Sequence, residues 1–413
     1  MINKKKLYNY LNLFTATLFL SCSNTDDENI DVVKDKIYIL ETGLTDNELD
    51  SYGKKVVYRF KSINNLVALN NNSQLKNNYV NSSLYKIIEE NAKVRIDYNF
   101  NKFLSNKKYN EIFIRTYSEA NFDKALDRIN SANVSLQKVN VAIVDSGVVP
   151  VTRAIKAKLK FSINLTNDSS DPFKIISSHA TYLASIFAGI DEYFSIKNVY
   201  AKNAELYSYR VNVTRDSSQT EKKYGSLQLA VAIDEAVFHN AKIVNLSLSY
   251  LSKPYDSSIF IEKILISNAA KKGIVFVVPA GNENMNIDTQ EVYPSRYDLN
   301  NVVTVSSHNN QLVRAYNSNY GLNVDLSAQG INLHLTNNKG NLDFVSGTSF
   351  SVAVVAAAMS LYYGAFPAAS LNTMLDHLFM SANDYNNTNE NEIISKYGRL
   401  DVDRFIKLGM VND

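Results

Sequence analysis

Beyond about residue 126 the chain alternates short, nearly continuous apolar runs with longer segments of helical period. Residues 139–144, 206–213, 242–248, 274–278 and 302–305 are such runs and predict strands buried on both faces. Residues 226–239 and 259–272 predict helices. In the first, Leu229, Ile233, Ala236 and Val237 fall at i, i+4, i+7 and i+8, one core-facing stripe. Two more helices, 180–188 and 351–361, are built of mostly small or apolar residues. Strands alternating with helices imply a parallel sheet, because parallel neighbours need a crossover and helices supply it. The expected fold class is therefore α/β: a parallel, doubly wound sheet with helices on both faces.

The stretch from 36 to 100 has a different pattern. Residues 36–40 and 56–60 carry β-branched and aromatic side chains and predict strands. Residues 84–91 predict a helix with Leu84, Ile87 and Ile88 on one face. Asparagine runs at 70–72 and 77–78 predict loops. A small α+β domain is expected here, ahead of a larger domain over 101–413. There is no internal repeat and no heptad pattern.

Composition narrows the function classes. Apolar residues make up 45% of the 413 positions, which is enough for a real core and excludes disorder of the whole chain. Basic and acidic residues number 43 and 41, a net charge of +2, so nothing points to nucleic acid or an acidic polymer as partner. The single cysteine, Cys22, excludes a disulfide scaffold and a multi-cysteine zinc site within one chain.

Cys22 also closes an N-terminal address. Lys4, Lys5 and Lys6 precede a mostly apolar stretch over 7–20, and the small residue Ser21 follows, the layout of a secretory signal. The stretch is short for a membrane span, which takes roughly 20 apolar residues. Phe19-Leu20-Ser21-Cys22 resembles a bacterial lipobox, with Phe19 where leucine is commoner, and the cysteine would then become the acylated first residue. An ordinary signal peptide with an incidental cysteine is the plainer reading. Residues 1–21 are thus read as the signal and 22–35 as a polar, acidic tether, with a lipid chain holding the protein to a membrane. No later segment reads as long and apolar enough to span a bilayer.

Four residues carry candidate chemistry. Asp145 ends an apolar strand, where a carboxylate is costly without a partner. His179 opens an apolar helix; the other histidines are His239 at a helix end, His308 and His334 in loop-like segments, and His377 on an amphipathic helix. Asn282 follows Ala280 and Gly281 just past a strand, and Ser349 follows Gly347 and Thr348 at the start of a helix. Each has an ordinary reading as a cap, a packed side chain or a turn residue. Their combination is more specific. A serine nucleophile needs a base, the base needs an anion to fix its tautomer, and the developing oxyanion needs donors.

In that chain order, Asp145, His179, Asn282 and Ser349 resemble the subtilisin-like serine proteases. Further segments carry the likeness over about 124–405: Lys124-Ala125-Leu126-Asp127-Arg128-Ile129, Ser247-Leu248-Ser249, Tyr293-Pro294-Ser295 and Tyr397-Gly398-Arg399-Leu400-Asp401. The resemblance implies a triad of Asp145, His179 and Ser349 and an oxyanion hole with Asn282. It implies a substrate cleft formed by Ser247, Leu248, Ser249, Ala280, Gly281 and Val292. Residues 57–69 resemble the family propeptide, which would make 36–100 an inhibitor-like domain that is cut away, between about Asp97 and Tyr117. Ala180 and Ala353 stand where the family usually has glycine and proline. Ser249, Tyr250 and Val292 replace smaller residues and should narrow the cleft. The loop 191–200 does not match the family's calcium loop, so no metal is expected, and the chemistry needs no cofactor.

The implied activity is serine endopeptidase cleavage of polypeptide substrates by a secreted zymogen, acting as a monomer on the bacterial cell envelope, at the outer membrane or cell surface. Two alternatives are a narrow-specificity processing protease for one exported peptide and a non-catalytic binding protein on a protease fold.

Overall fold

The computed structural model describes residues 37–41, 43–51, 54–71, 86–88, 120–165, 172–173, 177–189, 200–211, 214–215, 222–223, 226–251, 257–383 and 394–411. The chain divides into two compact units, Met1–Asp35 and Lys36–Asp413, and all described residues belong to the second. The expected signal, Cys22, the tether, the 97–117 stretch and nearly all of the loop 191–200 lie outside the described residues.

The N-terminal elements are β1 (Ile37–Glu41), α1 (Asp46–Ser51), β2 (Lys54–Arg59), β3 (Leu66–Asn71) and β4 (Lys86–Ile88). They form an antiparallel sheet in the order β2-β3-β1-β4. The helix expected over 84–91 is therefore corrected: β4 pairs with β1, Ile37 opposite Ile88. Two adjacent isoleucines fit a helix stripe or a strand over so short a run. The open edge of β1 decides, because it offers backbone hydrogen bonds that a lone helical turn would lack.

The larger sheet is built of β5 (Val139–Asp145), β6 (Leu159–Asn164), β7 (Ala204–Arg210), β10 (Ile243–Asn245), β12 (Val275–Pro279), β14 (Val302–His308) and β15 (Leu326–Gln329). Two short strands, β8 (Thr214–Arg215) and β9 (Lys222–Lys223), pair outside it. Its order is β15-β14-β12-β10-β5-β7-β6, and every neighbouring pair is parallel. Val141, Ile143, Ile243, Val275 and Val277 enter one core, while Ala142, Val144, Val244, Phe276 and Val278 enter the other. Both faces are apolar, which is why these strands read as continuous runs rather than alternating ones.

On the first face lie α2 (Phe122–Ser131), α4 (His179–Ala188), α7 (Thr348–Ala365), α8 (Leu371–Met380) and α9 (Val402–Val411). On the second lie α5 (Ser226–Phe238) and α6 (Ser257–Ala270). The short α3 (Arg153–Lys158) is capped by Thr152, whose hydroxyl accepts from Ile155 N at 3.2 Å. One correction concerns α7, which is long and apolar enough to cross a membrane by composition. It is instead 94% buried within the protein, the central helix of the first core. Another concerns two histidines expected in loops. His308 ends β14, and His334 lies in β16 (Leu333–Thr336), which pairs with β17 (Leu342–Val345). Both are buried, and burial lowers the pKa of His308 to about 4, so the ring stays neutral in the sheet.

The chain runs outward from β5 to β6 and β7 on one side, then returns to β10 on the other. This reversal opens a crevice at the carboxyl ends of β5 and β10, the place where ligands bind in open α/β sheets.

The small sheet packs on α5 and α6. Phe60, Leu66 and Ala68 share one apolar cluster with Leu229, Ile233, Ile261 and Leu265. The fully buried Asp234 anchors the contact. Its carboxylate accepts from Lys61 N and Ser62 N, both at 2.8 Å, from the Ser62 hydroxyl, and from the Tyr58 hydroxyl at 2.8 Å. Lys61 Nζ lies 2.5 Å from Glu235, and Asn268 Nδ2 donates to Ser62 O at 3.2 Å. Burial, then the Asp234 charge, pushes the Tyr58 phenol well up, so it remains a donor.

Candidate active site

Asp145 is the last residue of β5 and is fully buried. Ser146 N donates to its Oδ1 at 2.6 Å. His179 Nδ1 lies 2.9 Å from Oδ1 and 2.8 Å from Oδ2. An ionised carboxylate only accepts, so Nδ1 carries the proton and Nε2 is left as the basic nitrogen. His179 opens α4 and is 2% exposed. The turn is held from the strand side as well, since Ala180 N donates to Ser146 Oγ at 3.2 Å. The β16–β17 hairpin holds α4 from outside: Tyr182 OH donates to Asp343 at 2.6 Å, and Thr336 N to Ser185 Oγ at 3.3 Å.

Ser349 is the second residue of α7, which packs against α4. The next residue, Phe350, has its ring 5.5 Å from that of His179, so nucleophile and base candidates start neighbouring helices at the same end. Gly347 precedes the helix with φ +153°, a backbone setting that L side chains seldom adopt. Ser247 donates its hydroxyl to Ser349 O at 3.1 Å and accepts from Asn245 Nδ2 at 2.8 Å, tying the segment after β10 to Ser349.

Asn282 is half-buried beside this helix start. Its Oδ1 accepts from Thr348 N at 2.9 Å and from Thr348 Oγ1 at 3.2 Å. The carbonyl end is thereby engaged, and the Nδ2–H groups are the end that can donate to a ligand. The fully buried Asn319 shapes the loop that carries Asn282. Its Nδ2 donates to Ala280 O (2.9 Å) and Glu283 (2.6 Å), and its Oδ1 accepts from Glu283 N (3.0 Å) and Met285 N (2.9 Å). Gly281 has φ +108°, and a Cβ there would overlap the Asn319 amide. Asn319, Asn245 and Ser146 carried no signal in the sequence, and Thr348 showed there only as the neighbour of Ser349.

The other expected cleft residues are placed as follows. Leu248 is buried in the second core, so only its backbone is available to a ligand. Val292 is buried against Ala280, Ile287 and Val324. Ser249 is partly exposed, between Leu248 and the buried Tyr250. Ala180 and Ala353 are buried in unbroken helices. Among the described residues no group of three or more His, Cys, Asp or Glu side chains is placed to hold a metal ion.

The profile of the subtilase family matches residues 137–398, a span that contains Asp145, His179, Asn282 and Ser349. The chain belongs to the subtilase family. The seven-stranded parallel sheet agrees with the fold expected from the sequence. Among curated relatives, Subtilisin NAT of Bacillus subtilis subsp. natto is 26% identical over 255 residues, 62% of this chain and 63% of that protein. Subtilisin E of Bacillus subtilis gives the same identity and shares, so the chain spans less than two thirds of the length of these relatives. The thermostable alkaline protease of Halalkalibacterium halodurans is 27% identical over 338 residues, 81% of each chain. Among solved structures, the epidermin leader peptide processing serine protease of Staphylococcus aureus superposes with a TM-score of 0.69 at 20% identity, covering 92% of this chain and 99% of that one. At that identity the likeness speaks to the fold of this subtilase.

Proposed function

We propose that this subtilase is a serine endopeptidase. The observation that carries the reading is the buried Asp145–His179 contact at 2.8 Å, with Ser349 opening the adjoining helix. Ser349 Oγ attacks the scissile carbonyl and His179 Nε2 takes its proton. Asp145 stabilises the imidazolium, and His179 then returns the proton to the leaving amine. Asn282 Nδ2 and the Ser349 N–H hold the oxyanion, aided by the positive end of α7. The test is labelling of the purified protein with a fluorophosphonate. A label on Ser349 that is lost in Ser349→Ala is expected; an unlabelled wild type would favour a binding protein on this fold.

The small N-terminal sheet is proposed to be an inhibitory propeptide, supported by its docking on α5 and α6 through Asp234. Truncating one partner of a buried, hydrogen-bonded charge costs about 2–5 kcal/mol, or roughly 30-fold to several thousand-fold in an equilibrium. In the Ser349→Ala chain, which cannot cut itself, Asp234→Ala is expected to raise proteolytic nicking between residues 36 and 100 by roughly 30-fold or more. An unchanged nicking rate would show that Asp234 does not hold the sheet.

Membrane attachment through Cys22 is supported by its place after the apolar signal-like stretch. Each buried methylene of an acyl chain adds about 0.8 kcal/mol, and stable anchoring takes more than one chain. Cys22→Ser is expected to move the protein from the membrane to the soluble fraction; unchanged fractionation, with no lipid label on the wild type, argues against the anchor.

A further inference from the structure

The segment that leaves β10 beside the nucleophile becomes half of a two-stranded ribbon. Ser247 is tied to Ser349 O, and three residues later β11 (Tyr250–Leu251) pairs antiparallel with β13 (Val292–Tyr293). Tyr250 lies opposite Tyr293 and Leu251 opposite Val292. Val292 packs on Ala280, in the loop that carries Asn282. The ribbon therefore joins the nucleophile to the oxyanion loop. An extended peptide whose carbonyl reaches Ser349 has this ribbon as the natural edge to run along, added as a further strand. Alternate side chains of such a strand face the ribbon's floor.

That floor is filled. Tyr250 is 2% exposed and lies in the apolar cluster with Leu248, Ile261 and Leu265. Its hydroxyl donates to Glu262 Oε2 at 2.5 Å. Tyr297 donates to the same oxygen at 3.0 Å, and the two phenol oxygens are 3.3 Å apart. The Tyr293 ring lies against both, with centroids at 6.3 Å from Tyr250 and 5.1 Å from Tyr297. Glu262 sits on α6 and is itself buried, so its carboxylate depends on these donors. Burial, then the Glu262 charge, pushes both the Tyr250 and the Tyr297 phenol well up, and both remain protonated donors. The Tyr250 ring cannot swing aside without breaking its hydrogen bond to Glu262.

We propose that Tyr250 is a specificity-determining residue: held by Glu262 and Tyr297, its ring plugs the space beneath the ribbon and restricts the substrate residue passing over it to a small side chain. The proposal rests on the endopeptidase reading and adds a substrate class to it, peptides with Gly, Ala or Ser at one position on the amino side of the scissile bond. A hydrophobic pocket discriminates single methylenes by roughly 10- to 200-fold, so unplugging it has a measurable signature.

The experiment is a peptide-library cleavage profile of the purified active protein as wild type, Tyr250→Ala and Tyr250→Phe. Fluorophosphonate labelling reports the triad in each. The wild type should prefer small residues at one position. Tyr250→Ala should gain at least about tenfold in kcat/KM for Leu or Phe at that position and no other. Tyr250→Phe, which keeps the ring, should retain the preference for small residues. Where Tyr250→Ala does not fold, Tyr250→Leu keeps apolar contacts with a shorter side chain and reads the same position. A merely structural role for Tyr250 lowers the melting temperature without moving the profile. An active, labelled protein whose profile is the same in wild type and variant overturns the proposal alone. A wild type that neither labels nor cuts any peptide overturns the endopeptidase reading and this proposal with it.

Discussion

Ser349→Ala is expected to lower turnover on a peptide substrate by about 10⁶-fold. This is the size of the effect in subtilisin, carried over to its relative. The reason is chemical rather than structural. Without Oγ no acyl-enzyme forms, and the base His179 has no proton to take from the nucleophile. The fold has little reason to respond. Ser349 is the second residue of α7, its carbonyl still accepts from Ser247, and the Asp145–His179 contact does not involve it. Some acceleration over water should remain, because the oxyanion donors and the binding cleft are untouched. Asp145→Asn is expected to cost about 10⁴-fold, again the serine-protease figure, for a different reason. An asparagine can present N–H to His179 Nδ1, which favours the tautomer with its proton on Nε2, where it cannot act as base. Turnover of a fluorogenic peptide, with melting temperature measured alongside, checks both variants. Turnover comparable to the wild type in Ser349→Ala would remove Ser349 from the nucleophile's role.

The parts of this site that were legible in the sequence are those written within a few consecutive residues. Asp145 at the end of an apolar run, His179 before a run of small apolar residues, Gly281-Asn282 past a strand and Gly347-Thr348-Ser349 before a helix all announce themselves locally. The parallel sheet was legible for the same reason, since both faces of β5, β10 and β12 are apolar. What was not legible depends on pairs far apart in the chain. Thr348 orients Asn282 across 66 positions, and Ser247 reaches Ser349 across 102. Asn319 builds the loop under Asn282 by holding Glu283 N from 36 positions away. Nothing near Asp234 in sequence foretells that it meets Tyr58, and Glu262 looks like any helical glutamate until Tyr250 and Tyr297 are placed on it. The failure at β4 has a related cause. Three residues paired to a neighbouring strand obey the neighbour's hydrogen bonds rather than their own periodicity.

Asn282→Ala is expected to reduce turnover by about 10²–10³-fold, or roughly 2.7–4 kcal/mol, the figure for the corresponding donor of subtilisin. The tetrahedral intermediate places a full negative charge on what was a neutral carbonyl oxygen. A neutral amide donor favours that state over the bound substrate, so its loss should fall on kcat and spare KM. The Ser349 N–H and the end of α7 would remain, which is why the loss is partial. The geometry sharpens the test. Asn282 Oδ1 is engaged by Thr348 N and Oγ1, so the side chain is held with its N–H groups available. Asn282→Asp keeps those contacts but puts an anion beside a developing anion, and should be at least as damaging as alanine. The competing account is that Asn282 only fastens its loop to the start of α7. In that case both donors on Thr348 lose an acceptor in the alanine variant, the melting temperature falls, and the folded fraction keeps near-normal turnover. The aspartate variant then looks like wild type, because it still accepts from Thr348. Turnover and melting temperature on the two variants therefore separate the accounts, and an active Asn282→Asp enzyme would take Asn282 out of the oxyanion hole.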